Sequence, residues 1–199
     1  MFYEVLRIFF RRLFKIVFRT KVFGVENIPA EGGFILAANH LSNWDPPFLA
    51  TFIDRKVCYM AKEELFKNPI FAAAIRNLNV FPIKRGAADS AAIKHAVKIT
   101  KSGKCLGIFP EGTRSKTGLM GKAETGVALI AAMTKVPVIP ALIVGTNKIF
   151  SKDEKLPQLF VAYGKPMKYS GSAKDKEALE DFSQSIMNEI AKLNSICNN

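Results

Sequence analysis

Histidine, cysteine and tryptophan are scarce in this chain: its 199 residues include two histidines, three cysteines and one tryptophan. Two histidines, His40 and His95, exclude a multi-histidine metal centre. The cysteines (Cys58, Cys105 and Cys197) are odd in number, irregularly spaced and form no Cys-x-x-Cys pair. That argues against a disulfide framework or a zinc module and fits a reducing compartment. No stretch approaches the ~20 uncharged residues that a spanning helix needs, and no internal repeat, low-complexity tract or long linker is visible. Acidic residues are also few: 17 Asp and Glu stand against 29 Lys and Arg, a net charge of +12. That surplus calls for an anionic partner: nucleic acid, a membrane surface, an acidic carrier protein or a phosphorylated substrate. What the chain does have is apolar mass, 49% of its residues, enough for one domain with a sizeable core.

The charge is unevenly placed. Residues 1–21 hold Arg7, Arg11, Arg12, Lys15, Arg19 and Lys21 against Glu4 alone, a net of +5. Arg7, Arg11, Lys15 and Arg19 recur every four residues and form one slanting stripe on a helix, with Arg12 beside it. Phe2, Leu6, Phe9, Phe10, Leu13, Ile16 and Val17 fall on the opposite arc, with Ile8 and Phe18 as imperfections. A basic face opposite an aromatic-rich apolar face describes a helix lying in a membrane interface, where each cation near anionic lipid adds about 1 kcal/mol. Lipid contact is therefore expected of Phe2, Leu6, Arg7, Phe9, Phe10, Arg11, Leu13, Lys15 and Val17. The same pattern also fits an amphipathic helix docked on its own domain. A cleaved signal peptide is not expected, because the charges run through the apolar region rather than preceding it.

Beyond Lys21, short apolar runs alternate with helical patterns. Strands are expected at residues 22–25, Phe34–Ala38, 57–60, Val80–Ile83, 105–109, Val138–Val144 and 158–163. Helices are expected at residues 45–53, 62–78 (with a break at Asn68 and Pro69), 89–102, 122–134 and 174–196, and residues 147–156 read as an exposed loop. This alternation predicts an α/β fold: a single domain with a largely parallel central sheet flanked by helices. The chain divides into an interfacial helix at residues 1–20 and the α/β domain at residues 21–199.

In such folds ligands bind at loops leaving the carboxyl ends of strands, and three of these loops are unusual. The first runs Asn39, His40, Leu41, Ser42, Asn43, Trp44, Asp45. A tight turn there would bring the Asp45 carboxylate to one nitrogen of His40, fix the tautomer and make the other nitrogen a general base; spacing alone better suits a structural turn. The second, Phe109 to Ser115, offers Gly112 for close backbone approach and Thr113, Arg114 and Ser115 as donors suited to a phosphate. It lacks the Walker spacing, and an ordinary polar turn has the same composition. The third, Lys84 and Arg85, suits an anion site or, more blandly, a solvated strand end. His95, flanked by Lys94, Lys98 and Lys101, reads as solvated surface. No Ser, Cys or Thr stands in a recognisable nucleophile elbow, so a covalent enzyme intermediate is not expected.

Together, in this order, these blocks resemble the glycerolipid acyltransferase family with its NHxxxxD motif. Asn39, His40 and Asp45 match the first family motif. Phe81, Pro82, Ile83, Lys84 and Arg85 look like the second, Phe109 to Ser115 reproduces FPEGTRS in full, and Val136 to Pro140 looks like the fourth. The resemblance implies transfer of a fatty acyl group from a thioester to the sn-2 hydroxyl of 1-acylglycerol 3-phosphate (lysophosphatidic acid), giving phosphatidic acid for phospholipid synthesis. By that resemblance His40 is the base, Asp45 orients it, Lys62 is an oxyanion candidate with the Gly112 N–H as another, and Glu111 shapes the glycerol site. Arg85 and Arg114 hold the phosphate, with Lys84, Thr113 and Ser115 nearby. The donor is acyl-CoA or an acyl carrier protein thioester, and no further cofactor or metal is implied. Partners are anionic membrane lipids, at a peripheral site on the cytoplasmic face of the cell membrane. Asn79 stands where the second motif usually opens with Gly; Asn tolerates left-handed φ, so that turn is expected to survive. Lys84 and Pro82 also depart from the family pattern and bear on headgroup choice.

Two alternatives remain at this level. The same chemistry could act on glycerol 3-phosphate, another lysophospholipid or an acylated amino-acid lipid. A non-catalytic basic module for lipid or nucleic acid would need basic residues interleaved with exposed aromatics. The densest basic segment instead has an opposing apolar face, which makes nucleic acid the weakest partner.

Overall fold

A computed structural model describes residues 2–83, 90–152 and 156–197. Helix α1 (Phe2–Val17) leads into β1 (Lys21–Phe23) and β2 (Phe34–Ala38). Then follow α2 (Asp45–Thr51), β3 (Val57–Lys62), α3 (Pro69–Asn77), β4 (Val80–Ile83), α4 (Ser90–Lys101) and β5 (Cys105–Ile108). The chain continues through α5 (Gly126–Thr134), β6 (Val138–Val144), β7 (Phe160–Tyr163), α6 (Lys176–Lys192) and α7 (Asn194–Cys197).

The strands form one seven-stranded sheet in the order β1-β7-β6-β2-β5-β3-β4. β6, β2, β5, β3 and β4 are mutually parallel; β7 pairs antiparallel to β6, and β1 runs with β7. The expected α/β domain with a largely parallel sheet is the observed fold. The central strands are apolar on both faces because each face carries a core. Ile35, Ala37, Leu106, Val138 and Leu142 pack under α5 and α6. Phe34, Leu36, Ala38, Ile139, Ala141 and Ile143 pack with Phe48 and Leu49 of α2 and with Phe14 and Phe18. Every residue of β2 is buried, and β2 sits between β6 and β5. The loops after β2, β5, β3 and β6 therefore emerge along one edge.

Local chemistry sets several element ends. Asn68 caps α3: its Oδ1 accepts the N–H groups of Ile70 and Phe71, and Pro69 takes the first helical position, where no N–H is needed. The expected break at Asn68 and Pro69 is thus a true helix start, and only a short 3-10 turn, Glu63–Phe66, precedes it. Asn79 has φ +60, so the turn into β4 survives without glycine. α5 begins at Gly126, four residues later than expected.

The α1 helix docks on α2 with the face that carries Arg7 and Arg11, not with most of the apolar arc expected to oppose them. Arg7 donates to Ile53 O and Asp54 Oδ1, and Arg11 donates to Thr51 O and Asp54 Oδ1. These carbonyls lie at the negative end of α2, which favours cations. The Arg7 guanidinium holds the Asp54 carboxyl below its ordinary value, and Arg11 adds to this. Phe10, Phe14 and Phe18 run down the same side, and Phe14 meets Phe48 edge-on. Of the residues expected at the lipid, Arg7, Arg11 and Phe10 therefore serve this internal contact. Phe2, Val5, Ile8, Phe9, Ile16 and Val17 remain exposed, with Arg12 among them. Val5, Ile8, Phe9, Arg12, Leu13, Ile16 and Val17 line a shallow groove on this outer face. Among the described residues, no helix is long and apolar enough to cross a membrane.

Candidate active site

The carboxyl edge of the sheet brings the first two loops together because β2 and β5 are neighbours. The side chain of Asn39 closes the end of β2: its Nδ2 donates to Ile143 O, and its Oδ1 accepts the Ile143 N–H. This clamp on β6 turns the chain sharply into the His40 loop.

Asp45 is fully buried at the start of α2. Its Oδ2 lies 2.7 Å from His40 Nδ1 and accepts the N–H groups of Leu41 (2.6 Å) and Ser42 (2.7 Å). Its Oδ1 accepts the hydroxyl of Thr146. A carboxylate oxygen can only accept from Nδ1. Neutral His40 therefore carries its proton on Nδ1, and Nε2 presents a lone pair.

The imidazole lies flat on Phe109, with ring centroids 4.0 Å apart, and Phe109 stacks in turn on Tyr59. Tyr59 is anchored by its hydroxyl on Pro46 O and packs over Gly107, where a Cβ would come within 2.2 Å of its ring. Burial pushes the Tyr59 hydroxyl well above its ordinary pKa, so it stays protonated and donates. The face of Phe109 would stabilise the imidazolium formed when Nε2 takes a proton.

Glu111 ties the two loops. Its Oε1 accepts the His40 N–H, its Oε2 accepts the Gly121 N–H, and the Ser115 N–H donates to His40 O. These bonds brace the His40 loop; the family resemblance expects Glu111 to shape the glycerol site. Gly112 adopts φ +67, and its N–H donates to Phe109 O, which withdraws that group as an oxyanion donor. The Ser115 hydroxyl donates to Leu119 O, so it serves the loop rather than an anion. Thr113 and Arg114 are exposed at the same edge. Lys62 is exposed at the carboxyl end of β3, on the far side of β5 from His40. Lys84 and Arg85 lie outside the described residues. His95 is exposed on α4 with its ring against Phe81.

Two groups at the site were not read from the sequence. Phe150, at φ +59, places its ring against both Trp44 in the His40 loop and Phe18 beyond α1. Thr146 fell next to a segment that reads as polar loop. Its signal was its place just after a buried strand, but that β6 adjoins β2 is not visible in one sequence.

Among the described residues, no cluster of three or more His, Cys, Asp or Glu could hold a metal ion. The site thus sets His40, held by a buried aspartate, beside an exposed cationic loop at the carboxyl edge of an α/β sheet, an arrangement suited to deprotonating a hydroxyl. Comparison with known proteins places it further: the chain belongs to the acyltransferase family, whose model, described as Acyltransferase, matches residues 19–144. It is 31% identical over 180 residues to a 1-acyl-sn-glycerol-3-phosphate acyltransferase of Bacillus subtilis, covering 87% of each chain. With an enzyme of the same name from Streptococcus pneumoniae it shares 34% over 174 residues, 84% of this chain and 63% of that one. The fold superposes on the crystal structure of the 1-acyl-sn-glycerophosphate acyltransferase PlsC of Thermotoga maritima with a TM-score of 0.76 and 30% identity, covering 96% of this chain and 79% of that one.

Proposed function

We propose that this acyltransferase moves a fatty acyl group from a thioester onto the sn-2 hydroxyl of 1-acylglycerol 3-phosphate, forming phosphatidic acid. One observation carries the reading: His40 Nδ1 lies 2.7 Å from a fully buried aspartate that other donors already hold in place. That geometry suits a general base acting on an alcohol, an effect typically worth 10²–10⁴-fold in rate. The relatives' names supply the acceptor.

In the proposed reaction His40 Nε2 takes the hydroxyl proton as the acceptor oxygen attacks the thioester carbonyl. The C–O bond forms, the carbonyl oxygen becomes an oxyanion, and the C–S bond then breaks. The leaving thiolate takes the proton back from His40, so no enzyme side chain is acylated. Lys62 is proposed to face the oxyanion, a contribution of a few kcal/mol for such a donor. Arg114 and Thr113, with Lys84 and Arg85, are proposed to hold the substrate phosphate. The donor is acyl-CoA or an acyl carrier protein thioester; the net charge of +12 favours either acidic partner.

The acceptor is itself a membrane lipid, so the enzyme must work at a bilayer. The exposed apolar face of α1 is proposed to lie in the interface of the cytoplasmic leaflet, with Arg12 and Lys15 toward anionic headgroups. The test is acyl transfer with acyl-CoA and acyl carrier protein donors against several acceptors. Product from 1-acylglycerol 3-phosphate is expected. No product from it, with product from glycerol 3-phosphate or another lysolipid, would reassign the acceptor.

A further inference from the structure

The Asp45 carboxylate is gripped from two sides, and only one of them belongs to its own loop. Oδ2 takes His40 and two backbone N–H groups from residues three to five positions away. Oδ1 takes Thr146, 101 residues further along the chain, at 2.5 Å. Thr146 is fully buried. The hydroxyls of Thr51, Thr100 and Thr134 bond to carbonyls one turn back in their own helices. Thr146 instead reaches across to Asp45.

Its placement is built into the backbone. β6 ends at Val144, and Gly145 then turns with φ +90 into the 3-10 segment Thr146–Lys148. A Cβ on Gly145 would come within 2.8 Å of Gln158 O, and its positive φ also disfavours other residues. The Asn39 clamp on Ile143 fixes the end of β6 to the start of the His40 loop from the opposite side. Thr146 and His40 are thereby held in register across β2 and β6.

We propose that Thr146 is a positioning residue for acyl transfer: by donating to Oδ1 it fixes the plane of the Asp45 carboxylate, which in turn aims His40. The proposal rests on the reading of His40 as general base. A carboxylate cannot donate, so the Thr146 hydroxyl must be the donor. Without it, Oδ1 is a buried charged acceptor with no other donor among the described residues. The carboxylate then relieves itself by rotating toward its other donors and carries Oδ2 away from Nδ1. A residue that only filled space would be replaced by valine at no loss, since valine has nearly the same shape.

The test compares Thr146→Val, Thr146→Ala and Thr146→Ser with the intact enzyme in kcat, acceptor KM and thermal unfolding. His40→Gln serves as the reference for lost base function. Thr146→Val is expected to lower kcat about 10- to 100-fold, the scale of one hydrogen bond to a charged group. Acceptor KM should stay within about twofold, because the hydroxyl touches no substrate. Thr146→Ser should recover turnover to within about threefold of the intact enzyme, since it restores the donor. Should valine prevent folding, the alanine and serine variants isolate the hydroxyl in the same way. Unchanged turnover in the valine and alanine variants overturns the proposal. So does a serine variant that falls as far as valine, or a change confined to KM. A His40→Gln enzyme with intact turnover fails the general-base reading itself, which is a distinct result.

Discussion

At the scale of single residues, the site is a set of bonds made by groups that have no better partner. Glu111 bridges the His40 N–H and the Gly121 N–H with one oxygen each. Glu111→Gln keeps an acceptor for one of them but turns an amide NH₂ toward the other. Losing one charge-assisted bond costs about 1.5–3 kcal/mol. The variant is expected to unfold at lower temperature and to lose kcat, with acceptor KM little changed, as read by calorimetry and acyl-transfer kinetics. A raised KM alone would return Glu111 to the glycerol site. Gly107 acts at one remove, since any side chain there displaces Tyr59. Gly107→Ala should cost about 1–3 kcal/mol through overpacking and should also lower turnover, because Tyr59 supports Phe109 and Phe109 supports His40. Loss of stability with full turnover would show that the ring column does not hold the base. The residues proposed to carry this chemistry are legible in the sequence through the resemblance of NHxxxxD and FPEGTRS, taken together, to a known family; the spacing of His40 and Asp45 alone suits a structural turn. Thr146 is not legible, because its partner is 101 residues away.

At the scale of elements, burial explains which boundaries the sequence reveals. β2, β4 and β6 begin and end where the apolar runs do. The segment from residue 122 reads as helix by composition. Its first four residues are instead drawn into the active-site loop, where the Glu124 N–H donates to Pro110 O. The docking face of α1 is not legible in the sequence for another reason. Periodicity defines two arcs but not which one meets the domain, and the acceptors that decide it, Thr51 O, Ile53 O and Asp54, lie about 45 residues away in the fold's logic of long-range pairing. Asp54 makes this contact testable by pH. Its carboxyl titrates below its ordinary value when folded, so the stabilisation is present above about pH 4 and is lost as pH falls through the lowered folded value. The pair is solvent-exposed on the aspartate side, so its worth is about 0.2–1 kcal/mol. Asp54→Ala should therefore loosen α1 at pH 7, seen as faster proteolysis in residues 2–17. The difference from the intact chain should shrink in strong acid. A difference that persists there would mean the carboxylate is not the anchor.

At the scale of the molecule, the net charge of +12 divides by location. Arg7 and Arg11, two of the six cations in residues 1–21, are paired internally: both with Asp54, Arg7 also with Glu4, and Arg11 with the Thr51 carbonyl at the end of α2. What α1 presents outward is mainly apolar: Phe2, Val5, Ile8, Phe9 and Ile16 are each at least half exposed. The proposed membrane attachment should thus depend more on apolar area than on charge. Ile16→Asp, at a position 74% exposed, should leave the melting temperature unchanged and weaken flotation with anionic vesicles. It should slow acyl transfer on vesicle-borne acceptor but not on detergent-dispersed acceptor. Unaltered flotation would move the membrane face elsewhere. Phe150 touches both Phe18, just beyond α1, and Trp44 in the His40 loop, so the segment leaving the proposed membrane helix is linked to the loop of the proposed base. The most direct measurement of the whole account is single-turnover acyl transfer to 1-acylglycerol 3-phosphate by the intact enzyme and by His40→Gln. The account predicts a loss of at least about 10²-fold in the chemical step, with an unchanged melting temperature and no acyl group retained on the protein. A His40→Gln enzyme that turns over near the intact rate, or an acylated protein intermediate, would contradict it.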